Sequence, residues 1–506
     1  MDTALPPRSH SLWLRDQSAA HAPLDGDRTA DVAIVGGGIA GLTTGVLLAR
    51  AGLKVVVLEG DVIGAGTTGH TTAKISALQG TIYRTLRSSQ GADGARRYAT
   101  AQHAGREWIA DYVSERSVEC AFERRPAVTY TTEADNVAKV REEADAAGEA
   151  GLAATFTDDL AEDLRLPFPV TGAVVVDDQA QFDPYPYLGA LAAEIAGTPG
   201  CSVHERSRVT KVHSGGRPRV DAAGGTVRAD TIVVTTLMPV VHQGLLYARA
   251  EPLRSYCLAV TVDGPLPRGM YLSADTPTRS LRTARHDGGE VAVVGGGGHV
   301  VGRRIPTTPE YETLRDWATG HFPVTGVLDR WSAQDYESVD HLPYVGPASP
   351  GSSRVLVATG FAKWGMTNGT AAALALADRI LDRPDGPAAE WSALLDPKRL
   401  SPRGAVSAAR LNAGVAVHLA GGWLSPGGDE EGEHPARRSR RGLRPTGTAE
   451  VDGEQVTVSL VCTHLGGICS WNDAETSWDC PLHGSRFAAS GEVVTAPAVT
   501  GLDRLN

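Results

Sequence analysis

The 506-residue chain has no run approaching 18 apolar residues, so no membrane-spanning helix is expected. It is short of positive charge: 48 Lys and Arg stand against 59 Asp and Glu, and the net charge of −11 argues against a nucleic-acid partner by bulk electrostatics. Residues 1–30 hold neither an apolar signal core nor a twin arginine, which makes the cytoplasm the expected location. Cysteine is scarce, with six in all. Three fall between 462 and 480, while Cys120, Cys201 and Cys257 stand singly, as reduced core thiols do. No internal repeat is evident. What remains is 42% hydrophobic and 21% charged, the composition of a soluble globular protein, and too long for one ordinary domain.

The densest chemistry lies near the C-terminus. Cys462-Thr463-His464-Leu465-Gly466 is followed by Cys480-Pro481-Leu482-His483-Gly484-Ser485, with 15 residues between His464 and Cys480. This C-x-H…C-x-x-H spacing is the ligand pattern of a Rieske [2Fe–2S] centre, with two thiolates on one iron and two imidazoles on the other. Thiolates stabilise ferric iron, and neutral imidazoles carry less negative charge and raise the potential. Glycine after each ligand pair allows a tight loop close to the sulfides. A structural Cys2His2 zinc site would use the same ligands, although zinc does not require Leu-Gly after the first His or Pro inside the second pair.

The last 80 or so residues resemble the Rieske family. The resemblance implies Cys462, His464, Cys480 and His483 as metal ligands and Ser485 as a hydrogen-bond donor toward a cluster sulfide. High-potential members clasp the two loops with a disulfide, but Gly467 and Leu482 occupy those positions here. Cys469 then reads as a free buried thiol. Phe487 stands where those members have a tyrosine donor, so a lower potential is implied.

A second cofactor pattern lies near the other end. Asp31-Val32-Ala33-Ile34-Val35 suits a buried parallel strand. Gly36-Gly37-Gly38-Ile39-Ala40-Gly41 follows, then a helical pattern from Leu42 to Ala51 ended by Gly52, a strand Lys54 to Leu58, and Glu59, 18 residues beyond Gly41. This is a βαβ dinucleotide fold. Gly36 permits the tight turn, Gly38 lets a pyrophosphate reach the helix N-terminus, Gly41 allows close packing, and Glu59 accepts from a ribose hydroxyl.

The following segments resemble the glycine oxidase, sarcosine oxidase and D-amino-acid oxidase family over about residues 11–400. They include Gly64 to Lys74 with Thr67 and Thr68, Val209 after a strand-like stretch, Ala229 to Thr236, Trp331 to Gly346, and Val355 to Gly369 leading into an Ala-rich helix from Thr370 to Ile380. The resemblance implies FAD as the cofactor. It places Thr67 and Thr68 beside the flavin, Val209 at the adenine, and Gly365, Met366 and Thr367 before a helix whose N-terminus supports negative charge on the reduced ring.

The expected fold is α/β: a Rossmann-like FAD-binding domain over residues 1–400 with an inserted mixed-sheet substrate domain, plus a small all-β Rieske domain. The substrate cap would come from about residues 95–200 and 245–330, and the β-domain core from 446–506. Between them, 401–445 reads as a linker with a short helix at 405–420, then Pro426 to Gly432 and Arg437 to Arg441 as a flexible charged connector. The basic run suits a solvated turn better than a binding patch. Residues 446 to 460 alternate as short strands do. Residues 291 to 298 (VAVVGGGG) resemble a dinucleotide loop but lack the third glycine in place, so a strand ending in a turn is expected. Arg303 and Arg304 beyond it read as solvated surface charges.

One departure bears on substrate. The amino-acid-oxidising relatives have a carboxylate-clamping arginine four residues after the tryptophan, and this chain has Asp335 there. Asp335 would either recognise a cationic amine or pair with Arg282 or Arg330. Lys74, Tyr336 and His299 complete the catalytic candidates, with Tyr256 a further polar one. The whole reads as a flavin oxidoreductase that moves hydride from a C–H beside nitrogen to FAD and passes electrons singly through the cluster, with a small-molecule, amine-like substrate and an external electron carrier as partners. Two alternatives stay open: a reductase fed through the cluster, and a non-catalytic redox sensor with a structural Rieske module. A Rieske oxygenase does not fit, since no two histidines lie four or five residues apart.

Overall fold

A computed structural model describes residues 3–15, 17–399, 402–424 and 436–505. The apolar strand Arg28–Val35 lies inside an eight-stranded sheet, paired in parallel with Gly225–Val234 on one side and Val55–Leu58 on the other. Burial on both faces explains its β-branched composition. The order runs outward to Val355–Thr359 and the antiparallel Tyr344–Pro347 at one edge, and to Ser202–His204 at the other. The helices in chain order are α1 (Ile39–Arg50), α2 (Ile82–Arg116), α3 (Val137–Glu149), α4 (Pro184–Gly197), α5 (Thr308–His321), α6 (Gly365–Ile380) and α7 (Pro402–Leu424). One face of the sheet, through Val32, Ile34, Val55 and Val57, shares a core with α1, α2, α4 and α6.

The second sheet has nine strands. Its order is Val324–Ser338, Ala250–Val262, Gly289–Val300, Arg279–His286, Met270–Ser273, Glu123–Thr131, Gly172–Gln181 and Lys74–Ile75, with Ala154–Thr157 beside Gly172–Gln181. It is mixed, because Met270–Ser273 and Glu123–Thr131 run parallel. Helix α2 packs in the dinucleotide core, so the first cap segment begins near Glu123 rather than at 95. The VAVVGGGG stretch is strand throughout and ends no turn: Gly295 and Gly296 are paired on both sides. A Cβ on Gly296 would lie 2.9 Å from the Thr278 carbonyl, which accounts for the missing side chain.

The C-terminal part departs from the expected linker. Helix α7 is longer than 405–420, and its Val415 and Leu419 lean on the small domain's core. The basic run is no flexible connector: Ala436–Arg441 is a strand paired antiparallel with Arg444–Val451, which pairs in turn with Glu454–Ser459. The small domain thus starts ten residues before 446. Half-buried Ala436, Arg438 and Arg440 alternate with exposed Arg437, Ser439 and Arg441, the pattern of a strand with one face on a core. Residues Pro426 to Gly432 lie outside the described residues. A four-stranded sheet of Ser470–Asn472, Ser477–Asp479, Arg486–Ala488 and Val493–Thr495 completes the domain. Trp478 fills its centre, and a Cβ on Gly447 would come within 2.5 Å of that indole. Among the described residues, no helix is long and apolar enough to cross a membrane.

Candidate functional site

The glycine loop forms a cradle at the carboxyl end of the first strand. Gly36 has φ 114°, and a Cβ on Gly41 would overlap the Gly36 carbonyl, so both positions require glycine. Gly38 caps α1 without a side chain, leaving the helix N-terminus for an anion. The Glu59 carboxylate accepts from Gly37 N at 2.7 Å and Asp61 N at 3.0 Å. Burial pushes its pKa up, opposed by those two donors. Val209 opens the strand Val209–His213 beside the same sheet. These residues fit a dinucleotide. Replacing Glu59 by Ala should remove a charge-assisted bond of roughly 1.5–3 kcal/mol to the ribose and weaken FAD retention about tenfold or more. Equilibrium dialysis of flavin checks this, and unchanged affinity would place the nucleotide elsewhere.

Helix α6 begins at Gly365, five residues before the expected start, so Gly365, Met366 and Thr367 form its first turn. Its N-cap Trp364 offers no side-chain bond, and Ala362 and Lys363 before it sit at φ 48° and 71°. Two successive left-handed non-glycine residues are strained, as at many functional sites. Thr68 Oγ1 accepts from Ile39 N at 3.3 Å, and Thr67 Oγ1 donates to the Gln334 carbonyl at 2.6 Å. Thr367 Oγ1 is taken up by the Ser76 carbonyl and Gln79. Ile39 stands between the Thr67–Thr68 turn and α6: its N–H bonds Thr68, and a Cβ on Gly369 of α6 would lie 3.1 Å from its side chain.

The catalytic candidates do not form one cluster. Lys74 is buried, donates to the Tyr271 carbonyl at 2.5 Å and Ser280 Oγ at 2.7 Å, and lines a narrow cavity with Trp364. Burial, then Arg282, lowers its pKa to about 7. Asp335 is buried with one carboxylate oxygen unpartnered among the described residues. Burial raises its pKa to about 6, while Lys363 opposes the rise. Neither Arg282 nor Arg330 pairs with it: Arg282 donates to the Ala73 and Phe182 carbonyls, and Arg330 to the Pro7 carbonyl. Burial pushes the Cys257 thiol up to about 12, with Lys74 and Lys363 opposing the rise. Tyr336 and His299 lie elsewhere. Alternation along Val324–Ser338 turns Gln334 and Tyr336 to the side opposite Asp335, and the Tyr336 hydroxyl is spent on the His483 carbonyl at 2.7 Å. His299 meets the Tyr256 hydroxyl at 2.9 Å.

The two C-terminal loops have matching geometry. Gly466 N donates to the Cys462 carbonyl and Gly484 N to the Cys480 carbonyl, and both glycines have φ 73°. The Cys462 thiol is drawn down by hydrogen bonds from Cys469 and then Cys480. His464 and His483 stand with ring centroids 5.2 Å apart, nearly perpendicular. Burial lowers both imidazoles to about 4, so both are neutral, as ligands must be. His483 Nδ1 and His464 Nε2 are buried with no partner among the described residues. Among the described residues, no group of three or more His, Cys, Asp or Glu side chains is arranged to hold a single metal ion. Thiols pair with thiols and imidazoles with imidazoles, which fits a two-iron cluster better than one tetrahedral zinc. Ser485 Oγ accepts from Ala498 N and reaches the Cys462 thiol. Cys469 is free and buried, against both ligand thiols. Where a disulfide clasp would sit, Gly467 lies under Leu482: a Cβ there would be 2.7 Å from the leucine.

Sequence reading missed how the two units meet. Gln334 Nε2 donates to the Gly484 carbonyl at 2.7 Å, and a Cβ on Gly484 would strike Pro252 and Tyr336. Arg254, 1% exposed, lies 3.7 Å from Asp479, and Asp473 accepts from Thr307 N and Thr308 N to cap α5. Arg303 is half-buried between Glu251 and the Pro481 carbonyl, and Arg304 pairs with Glu310, so neither is simply solvated. Asp479 beside Cys480 was visible; its partner, more than two hundred residues away, was not.

Residues 31–379 match the FAD dependent oxidoreductase family, and residues 440–506 match the Rieske [2Fe-2S] domain. YhfW of Bacillus subtilis (strain 168), provisionally named a Rieske 2Fe-2S iron-sulfur protein, is 35% identical over 497 residues, 96% of this chain and 94% of that protein. The cytochrome b6-f complex iron-sulfur subunit of Synechococcus sp. (strain WH7803) is 35% identical over 117 residues, 22% of this chain and 61% of that subunit. Among solved structures, glycine oxidase from Geobacillus kaustophilus superposes with a TM-score of 0.59 at 18% identity, covering 74% of this chain and all of that one. L-amino acid deaminase from Proteus myxofaciens gives 0.58 at 17%, covering 76% and 96%. These last two likenesses show the fold.

Proposed function

The chain belongs to the FAD-dependent oxidoreductase family, ends in a Rieske [2Fe–2S] domain and binds both cofactors, and on that basis we propose that it oxidises the C–N unit of an amine or amino-acid-like substrate. Bound FAD supplies a two-electron acceptor for a C–H beside nitrogen, and the cluster, held by Cys462, His464, Cys480 and His483, supplies one-electron transfer. An external one-electron carrier would take the electrons onward. Cys120, Cys201, Cys257 and Cys469, none of them in a disulfide, support a reducing compartment such as the cytoplasm.

The observation that carries the substrate reading is Asp335. A buried carboxylate with an unpartnered oxygen, where the resemblance implies a carboxylate-binding arginine, suits an ammonium group. Lys363 is its resident counter-charge and would yield to the substrate cation. Lys74, neutral above about pH 7, can take the ammonium proton and leave the nitrogen lone pair free for C–H cleavage.

The pH dependence follows. Asp335 must be ionised and Lys74 neutral, so kcat/KM should rise as pH passes through about 6 and 7. Replacing Asp335 by Asn should remove the lower limb and raise KM about tenfold or more, the equivalent of one charge-assisted hydrogen bond. An anaerobic panel of amines, followed by flavin bleaching, tests the reading. Bleaching by 2-hydroxy acids alone, or an unaltered KM in Asp335→Asn, would overturn it.

A further inference from the structure

The loop that follows strand Gly225–Val234 places two rings of the flavin-binding unit against the cluster ligands. Thr235 N still bonds to the Val35 carbonyl, so this loop leaves the sheet where the glycine cradle begins. Leu246 then anchors in the core of that sheet, with Tyr247 packed against the same core. The Tyr247 ring stands 4.9 Å from His464 at 90° and 4.9 Å from His483 at 73°, which puts it in the notch between the two imidazoles. His242 stacks on His464 at 5.2 Å and 12°, and also meets Tyr247 edge-on at 6.1 Å. These are ordinary contact distances for packed rings. Tyr336 and Gln334 hold the second ligand loop from the other side by its backbone carbonyls. The imidazole side of the cluster therefore opens onto the flavin-binding unit of its own chain.

We propose that Tyr247, with His242 stacked beside it, is the contact through which single electrons pass between the flavin-binding unit and the cluster, so that this face serves exchange within the chain. The proposal rests on the flavin-and-cluster reading above and does not depend on the substrate. Each passage moves one electron: the flavin gives it up and one ferric iron becomes ferrous. The external one-electron carrier must remove that electron before a second can follow. The ring of Tyr247 matters here and its hydroxyl does not, because the ring makes both imidazole contacts.

The test uses holoenzyme under anaerobic conditions. A light flash with a sacrificial donor places one electron on the flavin, and the visible absorbance of the cluster reports its arrival. Tyr247→Phe keeps the ring and should retain the wild-type rate, iron content and midpoint potential. Tyr247→Ala should slow the transfer by about tenfold or more at unchanged flavin and iron content, since it removes the ring that contacts both imidazoles and leaves a gap in its place. A wild-type rate in Tyr247→Ala would overturn the proposal. If that variant loses iron, His242→Ala decides instead: slower transfer supports the contact, and an unchanged rate refutes it. Because no substrate takes part, an amine panel that fails to bleach the flavin would sink the amine reading and leave this result standing.

Discussion

Replacing Asp479 by Asn should destabilise the docked cluster domain by about 3–5 kcal/mol, the cost of breaking a buried pair by removing one charge. The carboxylate is 2% exposed in its side chain and lies 3.1 Å from Arg486 and 3.7 Å from Arg254. Asn472 Nδ2 and Ser477 Oγ also donate to it. Asparagine keeps the shape and loses the charge, so buried Arg254 and half-buried Arg486 are left without their shared counter-ion. Burial alone would raise this carboxyl, yet Arg486 and then Arg254 outweigh it and hold the pKa below the ordinary range. A depressed folded pKa means stabilisation that is present above the unfolded value of about 3.9 and lost as pH falls below it. The wild-type interface should therefore weaken in acid below about pH 4, and the variant should not show that limb. Urea unfolding followed at the cluster absorbance measures both. A variant within 1 kcal/mol of wild type would show that Ser332 and Gln334, which Arg254 also engages, suffice for that arginine.

The parts of the site legible in the sequence are those whose chemistry is set by neighbours in the chain. The Gly36 to Gly41 turn with Glu59 is one βαβ unit, and Cys462 to Gly466 and Cys480 to Ser485 are single tight loops, so spacing alone carries their geometry. Asp335 was legible as a departure, but its partner was not. Lys363 acts on it electrostatically, without an ion pair, because two segments separated in sequence converge at the α6 N-terminus. Tyr336 was one of several polar candidates around the flavin, and strand alternation turns it to the side opposite Asp335, onto the His483 carbonyl. Gly484 is glycine for two reasons, its left-handed backbone and the packing of Pro252 and Tyr336. Only the first is a local property. Tyr247 and His242 had no spacing to mark them, since their role exists only once the small domain is docked.

Removal of iron should loosen the small domain from Ala436 onward and leave the flavin-binding unit folded. All six cysteines are free, so no disulfide closes the ligand loops. Gly467 packed under Leu482 offers contact in place of a clasp, without a covalent bond. The bonds that tie one loop to the other in the holoprotein are those to the cluster, supplemented by Ser485 and by packing around Trp478 and Phe487. Metal binding in small metal-stabilised domains is worth roughly 10 kcal/mol or more, which exceeds the whole stability of many domains of this size. Without iron, the ligands become two neutral imidazoles and a group of buried thiols that attract each other weakly. Hydrogen exchange should rise first at Cys462 to Gly467 and Cys480 to Ser485, then through the adjoining strands, while strand Arg28–Val35 and α6 keep their protection. Thiol reductants alone should change nothing. Equal protection in apo and holo forms would mean that the Arg254–Asp479 contacts and the Trp478 core hold the domain without the cluster.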